Sequence, residues 1–195
     1  VYGRLGDAFG RRRMLLVALA VYATGATLCA MAPSLTWLAA ARLVQGFGGG
    51  GLIALSVALI AEVIPPRERG SFQGWIAAVF TGASALGPVA GGFLTQEFGW
   101  RSVFMLQLPL SAVAAWFAIT RLDASAKGSS RGFTFDWAGL VLFALFVGPA
   151  LLALDQARKL APGPLLVALG LALAAGLALW LLFKQERTAP DPLLP

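Results

Sequence analysis

The chain has 195 residues, of which 58% are hydrophobic and only 12% charged, with a formal net charge of +6 and a mean hydropathy of +0.79. A water-soluble domain is nearer half apolar and a quarter charged, so the composition excludes an ordinary soluble globule and points to a chain solvated by lipid. It has no histidine and one cysteine, Cys29, which removes imidazole proton shuttles, the commonest metal ligand and any internal disulfide.

The first segment, Gly3 to Arg13, is read as a short basic loop following the end of a helix. Within it Gly3, Asp7, Gly10, Arg11 and Arg12 are singled out. Asp7 can accept hydrogen bonds at a helix N-terminus, and the arginines can pair with it or with the end of a facing helix. Glycines allow a sharp turn and close approach. The plainer reading is a basic loop that only sets topology. Met14 to Met31 carries no charge and is long enough to cross a hydrocarbon core of about 30 Å; Cys29 lies inside it as a small packing residue. Ala32-Pro33-Ser34 is a tight turn.

Ser34 to Ala61 is the second span and holds one charge, Arg42. At 1.5 Å per residue Arg42 lies on the order of 12 Å below Ser34, where a cation costs about 2.5–3.5 kcal/mol on insertion scales. It therefore calls for a wet cavity or an acidic partner, and no carboxylate falls inside any of the charge-free stretches. The alternative is a structural arginine held by backbone carbonyls. Gln45, Gly46 and Gly49 follow at three, four and seven residues, on the same side of a helix. This pattern suits a cavity wall at a close helix crossing. The run Gly48 to Gly51 serves tight packing or bending.

Pro65 to Gly70 stops one helix and starts the next. Ser71 to Gln96 is the third span. Ala83, Gly87 and Gly91 repeat at four-residue spacing, a small-residue ridge on which another helix can lie, and Pro88 adds a kink. A gate or seal is one reading of this helix. Gln96 to Arg101 is a turn, and Ser102 to Thr120 is the fourth span. Arg121 to Asp136 is the longest polar stretch, with Asp136 placed to cap the helix that follows. Trp137 to Leu154 and Ala161 to Phe183 are the fifth and sixth spans, separated by a loop from Asp155 to Pro164. The fold class expected is all-α integral membrane with six complete transmembrane helices, because the apolar runs are continuous and do not alternate.

Charge placement orients the chain. Arg4, Arg11, Arg12, Arg13, Arg67, Arg69, Arg121, Lys127, Arg131, Lys184 and Arg187 fall on one side, against Arg101, Arg158 and Lys159 on the other. The positive-inside rule places the first group in the cytoplasm. The basic balance is thus a topology signal, and no nucleic-acid partner is expected, since the charges are scattered over short loops.

Three motifs taken together resemble the major facilitator superfamily. Gly3-Arg4-Leu5-Gly6-Asp7-Ala8-Phe9-Gly10-Arg11-Arg12 is similar to its first cytoplasmic signature, with Ala8 where a base is usual. Leu38, Arg42, Gln45, Gly46 and Gly48 resemble its fourth-span motif. Gly74, Ala83, Gly87, Pro88, Gly91 and Gly92 resemble the antiporter motif of its fifth span, with Ala83 in place of glycine. The later part is similar to the 14-span drug:proton antiporters. The resemblance implies a major facilitator fold running from the end of span 2 through span 8 of 14. It implies an internal fragment in which 1–121 belong to the N-terminal six-helix half, 122–135 to a cytoplasmic linker, 136–183 to two inserted helices, and 184–195 to a cytoplasmic segment leading to a C-terminal half.

The function so implied is secondary active export of lipophilic or cationic compounds in exchange for protons, by alternating access at the cell membrane. Arg42, Gln45 and Gly46 would couple protonation in the cavity. Gly3, Asp7, Gly10, Arg11 and Arg12 would latch the cytoplasmic side, and the antiporter-motif residues would seal a helix crossing. No metal, catalytic residue or cofactor is expected beyond the proton gradient. The partners implied are small lipophilic or cationic substrates, protons, the lipid bilayer and the remainder of the transporter. Alternatives are a narrow-substrate metabolite or siderophore exporter, a receptor or scaffold on the same fold, and a membrane-embedded enzyme, for which the spans offer too few ionisable groups.

Overall fold

A computed structural model describes residues 2–122, 137–159 and 162–188. Every regular element among them is a helix: α1 (Tyr2–Phe9), α2 (Arg11–Ala30), α3 (Leu35–Val63), α4 (Arg69–Phe98), α5 (Ser102–Met105), α6 (Gln107–Arg121), α7 (Trp137–Ala157) and α8 (Pro162–Thr188). Six segments are long and apolar enough to cross a membrane: α2, α3, α4, α5 with α6, α7, and α8. They coincide with the six expected spans. Large apolar side chains such as Leu35, Leu43, Val89 and Leu173 stand on the outside, which lipid tolerates and water does not.

Two expectations are corrected in detail. Gly3 to Arg13 is helical on both sides of Gly10 and is not an open loop. Gly10 alone breaks it, with φ of 93°, a conformation that disfavours other residues. Hydrogen bonds nevertheless continue across the break, from Gly10 N–H to Gly6 O and from Met14 N–H to Gly10 O. Asp7 therefore lies in the last turn of α1 and not at a helix start. The fourth span is divided at Leu106 into α5 and α6. Pro109, third in α6, has no N–H to give the carbonyl four residues back, so the preceding turn is left open.

Ser34 caps α3: its hydroxyl oxygen accepts from Trp37 N–H at 3.2 Å. This satisfies one of the free donors of the first turn. Asp136, the other expected cap, and the segments 123–136 and 189–195 lie outside the described residues.

The chain divides into two compact units, one holding α1 to α6 and the other α7 and α8. In the first, α2 packs along α3 and touches α6, α1 and α5. The α2–α3 contact is built on small residues. Gly25 lies against the backbone of Gln45, and Gly48 against Tyr22 and Ala18. Without a water-driven hydrophobic force, such close backbone approach is a main source of helix association in lipid. α4 stands apart, with no buried residue, and makes its substantial contact with α5. In the second unit α7 and α8 pack lengthwise as a pair.

Candidate functional site

The buried face of α3 carries Ala41, Gln45, Gly48, Gly51 and Leu55, the repeat of one helix side. Gln45 is 3% exposed and is one of two buried polar residues among those described. A buried amide must find partners, and Gln45 does so in both directions. Its Oε1 accepts from Arg42 Nη1 at 3.0 Å, and its Nε2 donates to Gln107 Oε1 at 2.5 Å. Tyr22 O–H donates to the same Gln107 oxygen at 2.8 Å, and Cys29 Sγ sits 3.8 Å from Gln45 Oε1. Arg42 thus connects to α2 and α6 through a chain of side-chain hydrogen bonds. Its guanidinium carbon lies over the Phe104 ring, 4.7 Å from the centroid.

Arg42 lines a cleft with Leu38 and Phe104. Among the described residues no carboxylate pairs with it, and its hydrogen bond goes to a side-chain amide and not to a backbone carbonyl. It stands on the exposed side of α3 beside the buried stripe. Gly46, grouped with it, opens on free space. The close crossing is made instead by Gly48, with Gly51 beside the Tyr2 ring.

Gln107 was absent from the sequence reading. A single neutral amide in an apolar run gives no periodic signal; only its place two residues before Pro109 marks it. Gln107→Leu is expected to cost about 2 kcal/mol, because Gln45 and Tyr22 both lose their acceptor. Adding Tyr22→Phe then costs little more. Thermal unfolding of the two single variants and the double variant of the complete protein checks this, and fully additive losses would dismiss the network.

At the other end of α2 the first motif forms a clasp. Arg11 donates to Asp7 Oδ1, from Nη2 at 2.9 Å and Nε at 3.2 Å. It also pairs with Glu62 at 3.1 Å and donates to the carbonyl of Ala58. Arg12 Nη2 donates to the carbonyl of Ile119 at 2.8 Å. The Ile119 carbonyl lies in the last turn of α6, its negative end, where a cation is favoured, while Ala58 lies further inside α3. Gly3 lies in α1 with open space around it. Glu62 was not among the expected residues.

The antiporter-motif residues Gly74, Ala83, Gly87, Pro88, Gly91 and Gly92 all lie on α4. A methyl group added at any of its glycines 74, 87, 91 and 92 would meet nothing within 4 Å. The ridge exists, and no described helix rests on it. No group of metal-ligating side chains occurs among the described residues.

The sequence model of the Major Facilitator Superfamily matches residues 1–184. The chain belongs to this superfamily. Multidrug resistance protein 3 of Bacillus subtilis is 30% identical over the whole chain, which covers 38% of that relative. The acurin A biosynthesis cluster MFS-type transporter of Aspergillus aculeatus is 32% identical over the whole chain, which covers 36% of its length. Efflux pump dotC of Dothistroma septosporum is 37% identical over 71% of the chain and 24% of its own length. The chain therefore spans well under half of these major facilitator relatives. Family and helices together make it a multi-pass membrane protein.

Proposed function

We propose that the protein containing this chain is a secondary active exporter of lipophilic compounds, cationic ones among them, driven by proton exchange at the cell membrane without a bound cofactor. The observation that carries this reading is Arg42. It is a membrane-depth cation paired with no described carboxylate, and it is tied by Gln45 and Gln107 to two neighbouring helices. Such a group responds to the protonation of an acidic partner or to an arriving ligand, and its hydrogen-bond chain carries that response to α2 and α6. Alternating access then moves the helix bundles about a site near the midplane. The names of two relatives, a multidrug resistance protein and an efflux pump, support export.

Ethidium efflux from cells expressing the complete protein tests this. Efflux that collapses with a protonophore is the expected result, and uncoupler-resistant efflux would remove the proton mechanism. The relative named for a biosynthesis cluster favours a second reading, a narrow-substrate exporter of one metabolite. Well-expressed protein with no ethidium efflux would select it.

A further inference from the structure

The fourth span stays helical through Leu106, with φ of −60° and ψ of −29°, yet its ladder of hydrogen bonds is interrupted just there. The nitrogen of Pro109 carries no hydrogen for the carbonyl of Met105. Two residues on, the Ser111 hydroxyl donates to the carbonyl of Gln107 at 2.7 Å, a back-bond of the kind that accompanies helix bending. Bending between Met105 and Pro109 has no such bond to break, so it costs less than elsewhere in the span.

Arg42 reaches both sides of this point. Before it, the Phe104 ring is buried among Cys29, Ala30 and Ala41, with the Arg42 guanidinium carbon 4.7 Å from its centroid. After it, Gln107 opens α6, and Arg42 reaches Gln107 through Gln45 by bonds of 3.0 and 2.5 Å. Arg42 also sets the direction of that chain. A guanidinium only donates, so Gln45 turns its oxygen to Arg42 and its N–H to Gln107. Gln107 meets that N–H with the oxygen that also accepts from Tyr22. Packing thus fixes the Phe104 side, while side-chain hydrogen bonds that depend on the position of Arg42 hold the Gln107 side.

We propose that Leu106 to Pro109 is a joint in the fourth span, held while Arg42 rests between Phe104 and Gln45 and free to bend when Arg42 leaves. Phe104 and Gln107 are positioning residues on either side of it. The proposal rests on the reading of Arg42 as the group that responds to protonation or to a ligand, and it names the backbone that moves with it.

Hydrogen exchange of the purified complete protein in detergent, read by mass spectrometry, tests the joint without transport. Arg42→Ala is expected to speed exchange across residues 102–112 by about 10-fold and to leave residues 11–20 of α2 within roughly 2-fold of wild type. Pro109→Ala supplies the missing N–H, so adding it to Arg42→Ala returns residues 102–112 to wild-type protection. Unchanged exchange at 102–112 in Arg42→Ala, equal speeding at 11–20, or a double variant as fast as Arg42→Ala overturns the joint. Ethidium efflux adds the functional arm. Pro109→Ala alone stiffens the joint and is expected to lower uphill efflux about 10-fold with folded protein undiminished; normal uphill efflux in that variant overturns the joint's part in transport. A wild type without protonophore-sensitive efflux would defeat the coupling reading of Arg42, and the exchange result would still decide the joint.

Discussion

Gly25→Ala is expected to destabilise the protein by about 1–3 kcal/mol, the range of overpacked cores. The added methyl carbon would sit 2.5 Å from both Cα and N of Gln45. Those are backbone atoms of a neighbouring helix and cannot turn aside, so α2 and α3 must separate. Separation also lengthens the hydrogen bonds of Gln45, whose backbone is the part displaced. Gly48→Ala meets the same obstacle from the other helix, at 2.7 Å from Tyr22 Cα and 2.9 Å from Ala18 O. Gly46→Ala provides the contrast. It lies two residues from Gly48 on the same helix, faces open space, and is expected to be neutral or to gain up to about 1 kcal/mol from better helix propensity. Thermal unfolding of the three variants of the complete protein in detergent checks this. Equal losses at positions 25 and 46 would show that the helices do not cross as described.

Arg42→Ala is expected to abolish uphill, uncoupler-sensitive efflux, a loss of at least about 10-fold, which corresponds to 1.4 kcal/mol or more in the coupled step. The substitution removes the cation and leaves Gln45 Oε1 with only the thiol of Cys29 at 3.8 Å. Arg42→Lys keeps the charge but loses the planar, delocalised guanidinium that lies over Phe104, so it is expected to fall between wild type and alanine. A purely structural role would lower folded protein and every transport mode together. A coupling role spares downhill exchange of substrate across energised and de-energised membranes alike. Substrate counterflow beside uphill efflux separates the two. Normal uphill efflux in well-expressed Arg42→Ala would end the proposal that this residue couples protons.

The six spans were legible because they rest on one strong signal, long charge-free apolar runs, and lipid reads that signal without help from tertiary structure. Arg42 and Gln45 were legible for a related reason: polar groups are few in a membrane, so each one needs an account. What the sequence hid was pairing. Gln107 lies 62 residues from Gln45, and nothing local marks it as the acceptor that Gln45 and Tyr22 share. Glu62, just past the apolar run of α3, became visible only when α3 was seen to end beside Arg11. The glycines show the same limit. Position 46 and position 48 look alike in a glycine-rich run, and only the neighbouring helix distinguishes the one that is packed.

Arg12 grips Ile119, and Arg11 grips Ala58, by carbonyl oxygens that every amino acid carries. Those two ends of the clasp impose no side-chain requirement at positions 58 and 119. Related chains are therefore free to change both residues while keeping the same grip, and covariation between Arg12 and position 119 should be absent however strongly they are coupled in space. Only the Asp7 and Glu62 contacts of Arg11 would leave a trace of that kind. An evolutionary map drawn from paired substitutions would record half of this clasp and pass over the half that anchors α6.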